Sequence, residues 1–314
     1  MRTSLVSRFR AFVIAGPTGV GKSDVAVEVA LAVGGEIVGA DAYQIYAGLD
    51  ILTAKPGAAL RKRVPHWLVG EVPLTQSFDV AQYLAMAEMR MNEIRSRGKI
   101  PIVAGGTGLY VRALIRGLDE LPPGDPALRL ELEKQPLSEL QQRLTELDPV
   151  AAGRIDLMNP RRVVRALEVC LVSGKPFSSF GQEWNAPTPA NCGIVLLRER
   201  AELYARVDRR VEEMFRDGVV EEVERARANL SPTAQQTLGW REIRQFIAGE
   251  TTQEACIAAI QQATRQYAKR QLTWYRKEVG LTSMDVADVG MRELVDTIVA
   301  QQANSLAPAP AEKC

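Results

Sequence analysis

Histidine is almost missing from this 314-residue chain: His66 stands alone. No multi-histidine metal centre and no nucleophile–His–acid triad can be assembled around a single imidazole set between Pro65 and Trp67, so His66 reads as structural. Cysteine is sparse as well. Cys170, Cys192, Cys256 and Cys314 are scattered with no CxxC pair, which argues against a zinc site or a disulfide framework and agrees with a reducing, cytoplasmic setting. Charge of either sign is not in excess: 39 basic against 38 acidic residues leave a formal net charge of +1. The chain as a whole does not attract polyanions, and a nucleic-acid site must be a local patch. Long hydrophobic runs are absent too, so no membrane association is expected. The start, MRTSLVSRFR, has basic residues but no separate apolar segment, and reads as a short extension rather than a signal peptide. No internal repeat is visible.

What is present is an ordinary globular composition, 46% hydrophobic and 25% charged, over a length that suits about two domains. Short apolar strands are expected at 10–15, 36–40 and 99–104, alternating with helices at 23–33 and 81–97. That alternation predicts a parallel sheet with helices on both faces. After Leu118 the pattern changes. Residues 119–156 are Pro-punctuated, acidic and helical, and 161–172 form a further helix carrying Arg161, Arg162 and Arg165. Residues 176–189 read as loop, and a strand returns at 193–197. The expected organisation is an α/β core, 1–118 with 191–303, interrupted by a helical insertion at 119–190. Helices are expected at 201–229, 237–248 and 252–277, with a disordered Ala/Pro-rich tail at 304–314.

The first strand runs into Gly16-Pro17-Thr18-Gly19-Val20-Gly21-Lys22-Ser23. This is G-x-x-x-x-G-K-[ST] after a strand and before a helix, the context the nucleotide-binding P-loop requires. Its glycines let backbone N–H groups converge on phosphate oxygens, and the helix N-terminus adds partial positive charge. Lys22 brings a full charge, and Ser23 is the candidate Mg²⁺ ligand. Such a loop, of the kind that binds ATP, reports a diphosphate or triphosphate and leaves the reaction open.

The third strand ends in Gly105-Gly106, without the acid that usually holds the metal in NTPases. Asp41, closing the second strand, is the nearest candidate. By residue type it is either that metal ligand or a general base beside the phosphates. Tyr43, Gln44 and Tyr46 follow at the sheet edge where open α/β sheets bind ligands. Gln44 can bond a base edge and a tyrosine can stack on one.

Seven ordered blocks carry a resemblance: GPTGVGKS (16–23), DAYQIYAGLDILTAKP (41–56), PHW (65–67), GGTGLYVRAL (105–114), NPRRVVRALEV (159–169), LGWREI (238–243) and TRQYAKRQLTWYR (264–276). Together they resemble the tRNA dimethylallyltransferases, over about 260 residues. The resemblance implies a P-loop NTPase-like core with an inserted helical domain contacting tRNA. The implied reaction moves a dimethylallyl group from dimethylallyl diphosphate to N6 of the adenosine adjacent to the anticodon and releases pyrophosphate. The glycine loop would then cradle a leaving group. Asp41 resembles the base that takes the N6 proton, and Thr107 the hydroxyl that orients it. Lys22, Ser23 with Mg²⁺, and Arg206 resemble the stabilisers of pyrophosphate. Asp41, Ala42, Tyr43, Gln44, Thr107, Arg129 and Arg161 to Arg165 (with Val163 and Val164) resemble contacts to the tRNA anticodon stem-loop. A monomer is expected.

Three positions depart from the family's usual pattern. Leu52 stands in place of Gly, Ala42 in place of Ser and Trp67 in place of a second His, which touches local donor-pocket or tRNA contacts. Plainer readings stand beside these. Thr107 could cap the helix starting near Gly108, the 161–165 arginines could be a solvated face, and Met86, Met89 and Met91 read as packing. In the 264–276 block, Tyr267 and Trp274 are expected to face the core, with Arg265, Lys269 and Arg276 outward. A small-molecule kinase, a prenyltransferase of free adenine nucleotides and a non-catalytic RNA-binding module are the competing functions.

Overall fold

A computed structural model describes residues 11–180, 192–278, 280–287 and 289–306. The expected N-terminal extension, the expected loop after residue 180, and the tail from 307 with Cys314 lie outside them. The chain divides into two compact units, Met1–Ile115 with Thr188–Cys314, and Arg116–Pro187.

The first unit is built on one six-stranded sheet in the order β3-β2-β4-β1-β5-β6. The strands are β1 (Phe12–Ala15), β2 (Gly35–Gly39), β3 (His66–Trp67), β4 (Ile100–Gly105), β5 (Gly193–Leu197) and β6 (Leu281–Asp285), and every pairing is parallel. This is the parallel α/β architecture expected from the alternating pattern, of the P-loop NTPase-like kind that the resemblance implied. Strand side chains alternate between two cores, as a period of two demands. Val13, Ala15, Val38, Val103 and Val195 point to one; Phe12, Ile14, Ile37, Ile102, Ile194 and Leu196 point to the other. The first core is covered by α3 (Val80–Ser96) and α4 (Gly108–Arg116) through Tyr83, Ala87, Tyr110 and Val111. The second is covered by α1 (Lys22–Val33) and α13 (Met291–Leu306) through Val25, Val29, Leu294 and Ile298. A short α2 (Ala58–Arg63) precedes β3.

Several elements differ from expectation for physical reasons. β3 is two residues long, too short to register as a pattern, and β6 is an edge strand whose Thr282 and Ser283 are exposed, so it lacks an apolar run. The single helix expected at 201–229 is two, α9 (Arg200–Arg216) and α10 (Val219–Ala226). They break at Gly218, whose φ of 92° only glycine adopts cheaply. α11 (Trp240–Ile247) and α12 (Gln253–Tyr275) lie within the expected helical spans, whereas α13 was not anticipated and continues to Leu306, through the first residues of the expected tail.

The second unit, Arg116–Pro187, holds α5 (Pro126–Glu133), α6 (Leu137–Leu147), α7 (Pro149–Ala152) and α8 (Pro160–Ser173). Its core is Leu132, Leu140, Leu144, Val163 and Leu167 with their neighbours. The start of α8 is fixed by Asn159, which accepts from Arg162 N–H, and by Pro160 at the first helical position; Gly174 ends it at φ 65°.

Candidate active site

Three adjacent strands deliver the site. β1 leads into the glycine loop, β2 into Asp41 and β4 into Gly105-Gly106-Thr107, and in the sheet β4 lies between the other two. Close approach of these ends explains the glycines. A Cβ at Gly105 would sit 2.2 Å from Ala40 O, and one at Gly106 would sit 2.3 Å from Gln271 Nε2. Gly21 caps α1 with φ 104°, which aims the start of the helix at the loop's interior.

Around these ends is a cavity of about 380 Å³, lined among others by Lys22, Ser23, Asp41, Arg206, Arg210 and Tyr267. The P-loop cation, Lys22, donates to Pro17 O at 2.8 Å. Burial lowers its pKa to about 8, with Asp41 opposing the shift and Arg210 adding to it. Arg206 Nε donates to Gly19 O at 2.8 Å. Arg210 donates to Thr18 Oγ1; burial lowers its pKa from the ordinary arginine value, yet it remains charged at any neutral pH. The cavity is thus cationic at one side. Arg210 was missed by sequence reasoning, although it lies four residues after Arg206 on α9, one helical turn away and on the same face.

Asp41 starts a tight turn. Its Oδ1 accepts from Tyr43 N–H at 3.0 Å and Gln44 N–H at 3.2 Å, which leaves Oδ2 outside this turn. Thr107 Oγ1 accepts from Ala42 N–H at 2.9 Å and is hydrogen bonded to the Tyr267 hydroxyl. Thr107 therefore orients Asp41 through the backbone of the next residue, while its carbonyl starts α4 by accepting from Val111 N–H. Gln44 does not offer its amide nitrogen freely: Nε2 donates to Thr53 O and Ala54 O at 3.1 and 2.9 Å.

Tyr267 is a correction. It was expected to face the core, but it lines the cavity, 6.3 Å from the Tyr43 ring at 51°. The buried residues of α12 are Cys256, Ile260, Thr264, Ala268, Gln271 and Tyr275. The miss has a simple cause: α12 packs against α9 and α11, and part of the face it turns inward, with Ile260 and Thr264, also borders the cavity. Arg265, expected outward, pairs with Asp208 at 2.5 Å. Gln271 also went unnoticed. It accepts from Thr18 N–H and donates to Gly106 O, both at 2.8 Å, and so ties the glycine loop to the β4 turn.

The departures at 52 and 67 are accounted for. Leu52 is buried against the cavity wall, where a Cβ on Gly239 would come within 3.0 Å of Leu52 Cδ1 and 3.5 Å of Ile260. Trp67 Nε1 donates to Glu36 Oε2 at 2.8 Å, and the Arg90 and Arg97 guanidiniums lie 4.6 and 5.8 Å from its ring. Burial works to raise the Glu36 pKa, but bonds from Trp67, Lys99 and Arg97 outweigh it and the group stays ionised. His66 also lines the cavity. Its Nδ1 is 2.8 Å from Val64 O, its Nε2 has no hydrogen-bond partner among the described residues, and burial keeps the ring neutral.

In the helical unit the expected RNA-facing residues sort by exposure. Arg161 and Arg162 are exposed at the start of α8, but Val163 and Val164 are 0% and 4% exposed in that unit's core. Their side chains are unavailable for contact, because both fall on the face of α8 that packs into that core with Leu167. Arg129 and Arg165 both pair with the fully buried Glu168, at 2.7 and 2.6 Å. Cys170, Cys192 and Cys256 are buried and outside any disulfide. Among the described residues no group of three or more His, Cys, Asp or Glu could hold a metal, and no helix is long and apolar enough to cross a membrane.

The sequence profile of a family described as IPP transferase matches residues 44–278. The tRNA dimethylallyltransferase of Akkermansia muciniphila is 44% identical over 274 residues, 86% of this chain and 92% of that protein. The Geobacter sulfurreducens protein of the same name is 44% identical over 283 residues, 87% and 90% of the two chains. Among solved structures, the tRNA isopentenylpyrophosphate transferase of Bacillus halodurans superposes with a TM-score of 0.70 at 33% identity, covering 95% of this chain and 98% of that one.

Proposed function

This chain belongs to the IPP transferase family, whose similar members are tRNA dimethylallyltransferases, and on that premise we propose that it transfers a dimethylallyl group from dimethylallyl diphosphate to N6 of the adenosine adjacent to the anticodon of tRNA, releasing pyrophosphate. The observation that carries the reading is the cavity itself. It has a carboxylate at the end of β2, the cations Lys22, Arg206 and Arg210 around the glycine loop at the end of β1, and an aromatic ring beside them.

Chemistry explains that division. An exocyclic adenine amine is a weak nucleophile, because its lone pair is delocalised into the ring. An allylic diphosphate compensates by ionising to a delocalised cation. The bond from C1 to the diphosphate oxygen breaks, the bond from N6 to C1 forms, and the departing electron pair resides on pyrophosphate. Lys22, Arg206 and Arg210 meet that growing charge, together with loop N–H groups. One well-placed donor is worth about 3–4 kcal/mol at a developing anion. Asp41 accepts the N6 proton, held in place by the Tyr43 and Gln44 N–H groups and by the Thr107–Ala42 bond. A positioned base of this kind contributes roughly 10²–10⁴-fold. The target adenosine must leave its stack to reach the cavity, and Tyr43 and Tyr267 offer faces for it.

Mg²⁺ suits this donor set. Ser23 is a half-buried hydroxyl at the start of α1 lining the cavity, and Mg²⁺ characteristically takes one or two protein oxygens plus substrate phosphates. Ser23 would hold it, and the ion would neutralise diphosphate charge. In the helical unit, Arg161 and Arg162 serve as phosphate contacts to the tRNA, with Arg129 and Arg165 behind them. We take the protein to act as a monomer in the cytoplasm.

The test is mass spectrometry of nucleosides from unmodified tRNA incubated with enzyme and dimethylallyl diphosphate. One C5H8 increment on adenosine, with pyrophosphate released and AMP left unmodified, is the expected result. Steady ATP turnover without prenyl transfer would overturn the assignment in favour of a kinase.

A further inference from the structure

One of the buried carboxylates, outside the cavity lining, is bonded to a loop that forms part of the cavity wall. Glu222 sits on α10 and is 6% exposed. Three successive backbone N–H groups converge on it: Asp50 and Ile51 on Oε1 at 2.7 and 2.9 Å, and Leu52 on Oε2 at 2.8 Å. Consecutive N–H groups turned to one side form an anion-binding nest, and here the anion is a side chain about 170 residues away. The segment it holds is a run of turns, closed on itself by Thr53, Ala54 and Lys55 N–H bonds to Leu49, Ile51 and Asp50 O, and Glu222 takes the three N–H groups those turns leave over. Residues 49–57 contain no strand or helix, and Ala54 adopts φ 48°, an uncommon state for a residue with a side chain. Lys55 reinforces the arrangement by pairing with Asp50 at 2.5 Å and bonding Tyr46 O.

From this anchor the constraint runs on. Leu52, Thr53 and Ala54 line the cavity. The Thr53 and Ala54 carbonyls hold the Gln44 amide, and Gln44 N–H donates to the Asp41 carboxylate. Glu222 is thus linked to Asp41 through one loop and one side chain, and to the cavity through the same loop.

We propose that Glu222 is a positioning residue for the prenyl-transfer reaction: by filling the 50–52 nest it sets the cavity wall that binds the allylic diphosphate and, through Gln44, the placement of Asp41. The inference rests on the prenyltransferase reading above. A glutamine here keeps the volume but presents one carbonyl oxygen, and its NH2 group faces the Leu52 N–H, donor against donor. The wall shifts without leaving a void.

The experiment is steady-state kinetics of Glu222→Gln and Glu222→Asp on unmodified tRNA, with rates normalised to folded protein and tRNA affinity measured separately. Glu222→Gln should raise KM for dimethylallyl diphosphate about tenfold and lower kcat by a smaller factor, with tRNA Kd within twofold of the parent. Glu222→Asp, which keeps both acceptor oxygens, should recover part of the loss. The double variant Glu222→Gln with Gln44→Ala should fall well short of the product of the single effects, since both act on one linkage. A purely structural carboxylate would lower Tm while leaving KM per folded molecule unchanged, and that outcome, or full additivity with Gln44→Ala, would overturn the proposal. Should Glu222→Gln fail to fold, Glu222→Asp alone decides: an unchanged KM in a folded protein refutes it. A parent enzyme that forms no prenylated tRNA would instead refute the reading of function, so the two failures are separable.

Discussion

The lysine of the glycine loop gives a test whose size can be worked out. Burial pulls the Lys22 pKa from 10.5 to about 8 in the free protein, so the charge offered to a diphosphate is lost within an accessible pH range. About half of the molecules would carry it at pH 8 and about a tenth at pH 9. Since kcat/KM reports the free enzyme, kcat/KM for dimethylallyl diphosphate should be flat to about pH 7.5 and then fall, approaching tenfold per unit above about pH 8.5. At saturating donor the bound diphosphate raises the lysine pKa again, and kcat should stay nearly level across the same range. Burial also lowers the Lys55 pKa in the wall loop, and the comparison with Lys22→Arg separates the two lysines; the remaining shifted groups near the cavity lie outside the window. The His66 pKa is lowered from 6.5, Cys192 and Cys256 are pushed up to about 11, and the Tyr267 pKa is raised well above its ordinary 10. The assay is pyrophosphate release at constant ionic strength from pH 6.5 to 9.5, for the parent and for Lys22→Arg, which keeps its charge throughout. A parent profile flat to pH 9.5, or the same bend in Lys22→Arg, would refute the reasoning. The sign carries over to stability. Between pH 8 and 10.5 the folded chain binds fewer protons at Lys22 than the unfolded chain, so this group makes folding more favourable as pH rises through that window.

Three further outcomes are expected. Asp41→Ala should lower the rate of prenyl transfer by roughly 10²–10⁴-fold with tRNA affinity close to normal; a near-normal single-turnover rate would remove Asp41 as the base. Arg162→Ala should weaken tRNA binding and reduce the slope of log K against log salt by about one, with donor KM unchanged, and filter binding at several salt concentrations checks this. Leu52→Ala should enlarge the cavity at its wall against Gly239 and Ile260 and raise the relative kcat/KM for a ten-carbon allylic diphosphate, with a stability loss of about 2–4 kcal/mol read by denaturant unfolding; unchanged donor preference would count against Leu52 as part of the donor pocket.

The parts of the site that can be read from the sequence are those coded locally. The glycine loop, Asp41 closing β2 and the GGT turn after β4 each announce themselves within a few residues, because strand ends and tight phosphate loops constrain residue type at short range. Gln271, Tyr267 and Glu222 could not be placed that way, and Arg210 only through its helical spacing from Arg206. Their partners are Gly106, Thr107, Leu52 and Thr18, remote in sequence, and only the packing of α9, α10 and α12 brings them near. The valines of α8 show the opposite error. Val163 and Val164 were grouped with the arginines because they adjoin them, whereas helix geometry sends them to the core. In the fold, continuous apolar runs marked β1, β2, β4 and β5, while β3 and β6, two residues long or half-exposed, left no trace that a hydrophobic pattern could carry.

The strand order has a bearing on how such a molecule comes into being. Emerging from the ribosome, the phosphate loop and Asp41 are complete within the first 41 residues, yet they belong to strands that never touch. They acquire their spacing only when β4, about sixty residues later, slides between β1 and β2 with Ile102 opposite both Phe12 and Ile37. The opposite rim, from Arg206 to Gln271, follows after a further hundred residues. A chain that stops short of α9 and α12 therefore holds the glycine loop, Asp41 and the GGT turn without a working centre, and competence waits for those two helices.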